Sequence, residues 1–524
     1  MAMKLVTTYQ MREIDRLTIQ ERGVSGLELM ERAGRCVADA VLRLYEPNSV
    51  GIVTGKGNNA GDGLVVARFL SQRGVRVKLL LLTLRDNLSE AGRENFDKLP
   101  KEVEIIERER VPEMAQAFAG CRIIIDAILG TGIEGPVRGT FGEAISLMNA
   151  LGKPIVAIDI PSGLNADTGI AEGACIRATE TITMGLSKLG LVLNDGVEMC
   201  GNIHVADIGF PEDLTTDPAI KTHLIGIEDA SRILPKRPKN GHKGTFGSLM
   251  VVAGSHGMSG AAYLTAAAGL RSGTGLVYAV FPERVVDMLS CRLIEAVKVP
   301  IVAGKGTHLT QDAWDALEPY LQKADAVALG PGIGTHKDTA RLVDELVCQD
   351  LPMVIDADAL NCLGEKALCL INRTAPTVLT PHPGEMGRLL GIPTAEVQKD
   401  RLGAASNLAS EAKAVVLLKG AQTVVAHPDG RLYVNPVSNS GLAKGGSGDV
   451  LTGLIGGLLA QGCSALDAAC AGAYLHGMAG NQTRSEIGVR GMMAGNVLDR
   501  IPFALRKAEE HAGISEAETH IYRI

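Results

Sequence analysis

Val50-Gly-Ile-Val-Thr-Gly-Lys-Gly-Asn-Asn-Ala-Gly-Asp-Gly-Leu64 is a short apolar run, then a loop dense in glycine, then the first residue of an amphipathic stretch over 64–73. A second apolar run, 75–82, follows at once. Strand, tight loop, helix, strand is the building unit of a parallel α/β sheet, because a parallel neighbour is reached only through a crossover. The pattern repeats outward: 122–128, 154–158 and 180–184 read as buried strands, and 143–151 as a helix. Two helical stretches, 8–22 and 25–44, come first, the second opened by Ser25-Gly-Leu-Glu28 in the form of a capping box.

Leu234-Pro-Lys-Arg-Pro-Lys-Asn-Gly-His-Lys-Gly-Thr245 is polar and proline-rich, and a fresh strand, 248–253, starts after it. A domain boundary is therefore expected near residue 225, giving domains 1–225 and 226–524. The second half repeats the α/β rhythm with strands at 276–280, 326–329, 353–355, 377–379 and 415–418. Residues 423–426 and 431–434 read as a hairpin through Pro428-Asp-Gly430. The end is helical over 449–460, 465–483 and 492–506. The expected fold class is α/β, two domains, each of three αβα layers.

Composition narrows the function. Of 524 residues, 46% are hydrophobic, enough for sizeable cores, so global disorder is excluded. The 62 glycines exceed the usual share of roughly 7% and carry no Gly-X-Y period, which suits many tight strand-to-helix loops. A net charge of −7 argues against nucleic acid as the principal partner. No apolar run approaches the roughly 20 residues of a membrane span, and the N-terminus carries no signal-peptide core. The 10 cysteines form no Cys-x-x-Cys pair, so a reducing cytoplasm is expected.

The glycine loop after the first strand can aim amides and a helix dipole at an anion. It is not the dinucleotide fingerprint, because position 60 is Ala, and Asp62 repels a phosphate placed directly beside it. Asp126 ends one later strand and runs into Leu129-Gly-Thr-Gly-Ile-Glu-Gly-Pro136; Asp159 ends another and runs into Ile160-Pro-Ser-Gly163. A lone Asp at a strand end is often only a helix cap. Several such ends in one parallel sheet point instead to a ligand at the carboxyl edge. Asn59, Asp126 and Ser162 are all oxygen donors, suited to a hard monovalent or divalent cation.

Asn58-Asn-Ala-Gly-Asp-Gly63, Asp126 with Gly130-Thr-Gly132, and Asp159-Ile-Pro-Ser-Gly163 together resemble the NAD(P)H-hydrate epimerase family over about residues 1–215. The resemblance implies a Rossmann-like domain with potassium on Asn59, Asp126 and Ser162. It implies that Asn58, Asn59, Ala60, Gly61 and Asp62 line the hydrated dinucleotide. Gly130, Thr131, Gly132, Ile133, Glu134, Gly135, Pro136 and Asp159 would complete that lining. Ala60 stands where the family usually has Gly, and its methyl is expected to crowd the ligand or shift the backbone. The substrate's C6 carries a hydroxyl beside the ring nitrogen and inverts by losing and regaining it, or by ring opening. Either route moves a proton at oxygen, and Asp159 is the candidate acid/base.

Asn439-Ser-Gly-Leu-Ala-Lys-Gly-Gly-Ser-Gly-Asp449 leads into an apolar helix. Free amides at a glycine-preceded helix start form an anion hole, and an acidic residue at its edge can deprotonate a hydroxyl. The bland alternative, an Asp cap after a flexible loop, does not call for so many glycines. No Gly-x4-Gly-Lys-Ser/Thr is present, so this is not a P-loop.

With Gly254–Ala262, Gly330-Pro-Gly-Ile-Gly334, Asp356-Ala-Asp358, Thr380-Pro-His-Pro-Gly-Glu385 and Lys419-Gly-Ala-Gln-Thr423, the loop resembles the ADP/ATP-dependent NAD(P)H-hydrate dehydratases, a ribokinase-like family, over about 230–510. The resemblance implies that Ala261, Gly332, His382 and Asp449 contact the hydrated dinucleotide. It also implies that Lys419, Gly420, Ala421, Gln422, Thr423 and Gly448 contact ADP, which enters with Mg²⁺. Asp449 is the expected base, and His382 is a candidate for removing the C5 proton. His476, on a buried helix, reads as a satisfied core histidine. The expected partners are small molecules, hydrated NAD(P)H and ADP, with no nucleic acid and no membrane, and a homo-oligomer is expected. Two rivals remain at this level: a vitamin-precursor kinase of the ribokinase type fused to a nucleotide-binding module, and a non-enzymatic scaffold in the first half.

Overall fold

The structure is a computed structural model and describes residues 3–106, 108–133, 135–302, 307–364 and 370–512. It divides into two compact units, one of Lys4–Ile220 and one beginning at Lys221.

The first unit holds β1 (Met3–Val6), β2 (Ser49–Thr54), β3 (Arg76–Leu81), β4 (Glu104–Ile106), β5 (Ile123–Ala127), β6 (Ile155–Ile158), β7 (Glu180–Met184), β8 (Ser187–Lys188) and β9 (Asn202–Ala206). Its sheet runs β4-β3-β2-β5-β6-β7-β9 with every pairing parallel. Successive side chains enter opposite cores, as the pleat requires. Ile123 and Ile125 pack with Val37 and Leu64 of helices Gly26–Tyr45 and Asn58–Gln72. Ile124 packs on the other face with Ile145 and Met148 of helix Gly139–Ala150. That makes three layers. β1 adds a parallel pairing with β8, Leu5 opposite Ser187 and Val6 opposite Lys188.

The second unit holds β10 (Thr222–Leu224), β11 (Ser248–Val252), β12 (Leu276–Pro282), β13 (Val297–Ile301), β14 (Ala326–Leu329), β15 (Met353–Ile355), β16 (Thr377–Leu379), β17 (Val415–Leu418), β18 (Val424–Ala426) and β19 (Leu432–Val434). Their order is β13-β12-β11-β14-β15-β16-β17-β18-β19-β10. Leu249 and Val251 face helices Ser259–Arg271 and Ser447–Ala460; Met250 and Val252 face helices Lys337–Val347 and Arg401–Ala412. β18 and β19 form the antiparallel hairpin, with Gly430 at φ 88 in its turn. β10 pairs with β19, so the chain enters this unit ahead of residue 225.

Two local readings need correction, and one strand was missed. The helix after β2 begins at Asn58, not 64, so the motif residues form its first turns. Ser25 Oγ does accept the Glu28 N–H at 3.1 Å, but the Glu28 carboxylate turns to Arg32, leaving the capping box half made. β13 contains Pro300 and lies at the sheet edge, where the missing N–H costs nothing. No described helix is long and apolar enough to cross a membrane.

In both sheets the strand order reverses partway across: β2 lies between β3 and β5, and β11 between β12 and β14. The crevice at such a reversal is where open α/β sheets bind ligands.

Candidate functional sites

A cavity of about 820 Å³ opens at the carboxyl ends of β2 and β5. Asn58, Asn59 and Asp62 line it from the helix start, Leu129–Ile133 from the loop after β5, and Asp159 from the end of β6. Beneath it, Asp126 is fully buried. Its Oδ1 accepts Ser162 Oγ–H at 2.6 Å and its Oδ2 the Ser162 N–H at 2.8 Å. Ser162 Oγ accepts the Leu129 N–H at 2.8 Å, and Asn59 Nδ2 donates to the Leu129 carbonyl at 2.8 Å. Asn59 Oδ1 is buried and has no partner. Burial pushes the Asp126 carboxyl up to about 6, against the hydrogen bonds from Ser162 and Ile128. An orphaned amide oxygen beside a buried carboxylate and a hydroxyl is a donor set that fits a hard cation.

Asp159 has φ 65, a left-handed backbone that a non-glycine residue holds only under tertiary constraint. Its Oδ1 accepts the Lys188 ammonium, the Thr183 hydroxyl at 3.1 Å and the Met184 N–H at 3.1 Å. Lys188 is 1% exposed and gives its other donors to Thr183 Oγ1 and the Met184 carbonyl, each at 3.0 Å. Burying an ammonium is tolerable only when it is paired and fully hydrogen-bonded, as here. Asp62 and Asp15 share the cavity. Burial first, then Asp159 and Asp15, raise Asp62 well above the carboxylate range. Burial pushes Asp15 up to about 6, with Lys188 opposing and Asp159 adding to it.

The second site also gathers at carboxyl ends. The loops after β11 and β14 touch: Ser255 Oγ donates to the Gly332 carbonyl at 2.8 Å, and a Cβ on Gly332 would fall 3.0 Å from that of Ala261. Asp356, after β15, is 1% exposed; its Oδ1 takes Lys419 Nζ at 2.6 Å and its Oδ2 takes Thr452 Oγ1–H at 2.6 Å. Lys419 follows β17, and Thr452 stands one turn into helix Ser447–Ala460, so two strand ends and the glycine loop are tied together. Burial works against the Lys419 ammonium, but Asp356, Glu385 and Asp449 outweigh it and raise its pKa. Asp449, in the first turn, is pushed up to about 6 by burial, then by Asp356, with Lys419 opposing and Asp358 adding to it.

Two family models match the chain: one described as NAD(P)H-hydrate dehydratase over residues 249–503, and one described as YjeF-related protein N-terminus over 26–190. The bifunctional NAD(P)H-hydrate repair enzyme Nnr of Moorella thermoacetica is 42% identical over 517 residues, 97% of this chain and 98% of its own. The chain belongs to the bifunctional NAD(P)H-hydrate repair enzyme family. The Escherichia coli K12 member is 37% identical over 90% of this chain and 88% of its own. Among solved structures, the ADP/ATP-dependent NAD(P)H-hydrate dehydratase of Bacillus subtilis, co-crystallised with ATP and Mg²⁺, covers 54% of this chain and 98% of its own at 33% identity and a TM-score of 0.48.

For this family member, the structure sorts the expected residues. Gly130, Thr131, Gly132, Ile133, Gly135 and Pro136 line the first cavity; Glu134 lies outside the described residues. Ala60 does not line it: the residue is fully buried, and its methyl joins the core of Val37 and Leu64 rather than meeting a ligand. Gly61 also faces inward, toward the Met30 sulfur. In the second site, Gly420 and Ala421 are exposed, whereas the Gln422 side chain is buried and leaves only backbone to a nucleotide. Gly448 lies against Lys419 Nζ and Asp356 Oδ2.

His382 Nδ1 accepts the Gly384 and Glu385 N–H groups at 3.0 and 3.3 Å, capping helix Pro383–Leu390. A nitrogen that accepts two amides is unprotonated, so the ring proton sits on Nε2 and opposes the base role expected for His382. His476 is buried, and burial pushes it down to about 4 against a hydrogen bond with the Ser447 backbone; its Nε2 has no partner, so the core histidine expected to be satisfied is satisfied only in part.

Asp15, Lys188 and Arg401 were not expected at either site. Asp15 lies on an amphipathic helix and Lys188 in a two-residue strand, neither with a motif around it. The Arg401 guanidinium is buried and donates to the carbonyls of Leu418, Lys419 and Gln422, all at 3.2 Å, which shapes the 419–423 turn. Burial lowers its pKa to about 10.

Proposed function

We propose that the first unit inverts the C6 hydroxyl of hydrated NAD(P)H and that the second dehydrates the S epimer with ADP, giving NAD(P)H, AMP and phosphate. The observation that carries this reading is the presence of two complete strand-end sites on one chain of this family. One is built around Asp159–Lys188 and the other around Asp356–Lys419 beside Asp449.

In the first site, Asp159 handles the proton at the C6 oxygen. Asn59, Asp126 and Ser162 would hold potassium, which would offset the buried carboxylate and steady the loop around Leu129. In the second site, Asp449 takes the proton of the C6 hydroxyl as that oxygen attacks the terminal phosphoryl group. The loop amides and Lys419 hold the phosphate charge. Mg²⁺ entering with the nucleotide would supply further charge neutralisation, and Asp449 and Asp358 would hold it, as an ion that needs one or two carboxylates besides phosphate and water. Phosphate, a better leaving group than hydroxide, is then expelled by the ring nitrogen, and loss of a C5 proton restores the dihydropyridine. Gly332 and Ala261 shape the wall for the dinucleotide, and residues 419–423 receive the adenine nucleotide. These activities belong in the cytoplasm, where the cofactors turn over.

The test is recovery of the NADH absorbance band from purified hydrated NADH, with ADP and ATP supplied in turn. Recovery from the S epimer should need nucleotide and release inorganic phosphate. Recovery from the R epimer should need the first site as well. A stable phosphorylated product without the band would select the kinase reading instead.

A further inference from the structure

We propose that Asp62, backed by Asp15, is the acid that protonates the departing C6 oxygen in the first site, across from the Asp159–Lys188 pair. The inference rests on the epimerase reading of that cavity. Asp15, Asp62, Asp159 and Lys188 line the same cavity from four separate stretches of chain. Only one of the three carboxylates is held by a cation. Asp159 receives Lys188, Thr183 and Met184, and Lys188 spends its donors on Asp159, Thr183 and Met184. No described donor makes a hydrogen bond to the side chain of Asp62 or of Asp15.

The charges facing Asp62 are Asp15 from helix Thr8–Gln20, Asp159 from the end of β6 and Lys188 from β8. Arg12, Lys56 and Arg138 also line the cavity. Of these cations Lys188 is the one that bears on Asp62, and it is already committed to Asp159, so the three carboxylates do not all ionise. Burial and the two neighbouring carboxylates favour the proton on Asp62, and Asp159 is the carboxylate that Lys188 holds. Two carboxyl groups in unlike surroundings divide into an acid and a base.

Inversion needs both. The C6–O bond breaks, its electron pair goes to oxygen, and that oxygen takes the Asp62 proton and leaves as water. The ring-nitrogen lone pair forms the C6=N double bond of an iminium. Water then adds to C6 from the opposite face, the double-bond pair returns to nitrogen, and the added water gives one proton to Asp159. Only water is exchanged, one proton passes back from Asp159 to Asp62 through solvent to reset the pair, and no oxidant or co-reactant is needed.

The test follows conversion of isolated R epimer to S epimer by the full chain across a pH series. Asp62→Asn should slow inversion by about 10²–10⁴-fold with its melting transition in place. Asp15→Asn removes a like charge, so Asp62 ionises at lower pH and the alkaline limb of kcat/KM moves to lower pH. Wild-type inversion in ¹⁸O-water should place label on C6. Near-wild-type inversion in Asp62→Asn, an unmoved alkaline limb in Asp15→Asn, or inversion without label would each overturn the assignment. If Asp62→Asn loses its melting transition, the Asp15→Asn limb decides. A wild-type chain that does not invert at all sinks the epimerase reading instead.

Discussion

Asp449 sits where activity and stability pull in opposite directions. Its carboxyl is pushed up to about 6 in the folded chain, from an ordinary value of 3.8. A base works deprotonated, so kcat/KM for dehydration should fall as pH drops through about 6. The linkage has the opposite sense. A folded pKa above the unfolded one favours folding below the unfolded pKa, and that contribution is lost as pH rises through the folded value. Asp449→Asn should therefore lose about 10²–10⁴ in turnover, roughly 3–5.5 kcal/mol of barrier, and flatten the pH dependence of stability between about 4 and 6. Nucleotide affinity should survive, since Lys419 and the loop amides remain; joint loss of turnover and affinity would make Asp449 a loop-shaping residue. Asp126 gives a second test at this scale. Potassium should raise the melting temperature of the wild-type first unit more than sodium does, and Asp126→Ala should abolish the difference. Equal melting in the two salts would remove the ion from the site.

At the scale of elements, helix Asn58–Gln72 divides its opening residues between ligand and core. Ala60→Gly removes a buried methyl and loosens the helix, which should cost about 1–2 kcal/mol of stability. The KM for the hydrated dinucleotide should stay put, because the methyl faces Val37 and Leu64. A changed KM with unchanged melting would place the residue at the ligand after all. The same helix shows what the chain disclosed in advance. Asp126, Asp159 and Asp449 were legible as candidate-site residues because each ends an apolar strand or opens an apolar helix, and that periodicity survives folding. The helix start was not legible, because Asn-Asn-Ala-Gly-Asp-Gly has turn propensity, and burial of Ala60 and Leu64 overrides it. β13 was hidden by Pro300, which reads as a strand breaker until the strand is known to be at an edge. Lys188 and Asp15 were hidden for another reason. What brings them to the cavity is tertiary placement, including the pairing of β1 with β8, and no local spacing records it.

At the scale of the whole molecule, the two units should fold and act separately, one activity each, and expressing them apart tests this. The cut matters. A second fragment starting at Lys221 keeps β10 against β19, whereas one starting at 226 bares the β19 edge. The shorter fragment should melt lower and aggregate more readily, as an unpaired edge strand invites. If both fragments melt alike, β10 is dispensable. The first unit has a similar dependence at its other end. Leu5 and Val6 are fully buried and stand beside the strand that carries Lys188, far ahead of the first motif residue. An affinity tag cleaved carelessly, or an aminopeptidase that nibbles past Lys4, would therefore silence the epimerase while leaving every recognisable motif in place. Mass spectrometry of the intact N-terminus, read against inversion rate, should show the two falling together while dehydration continues.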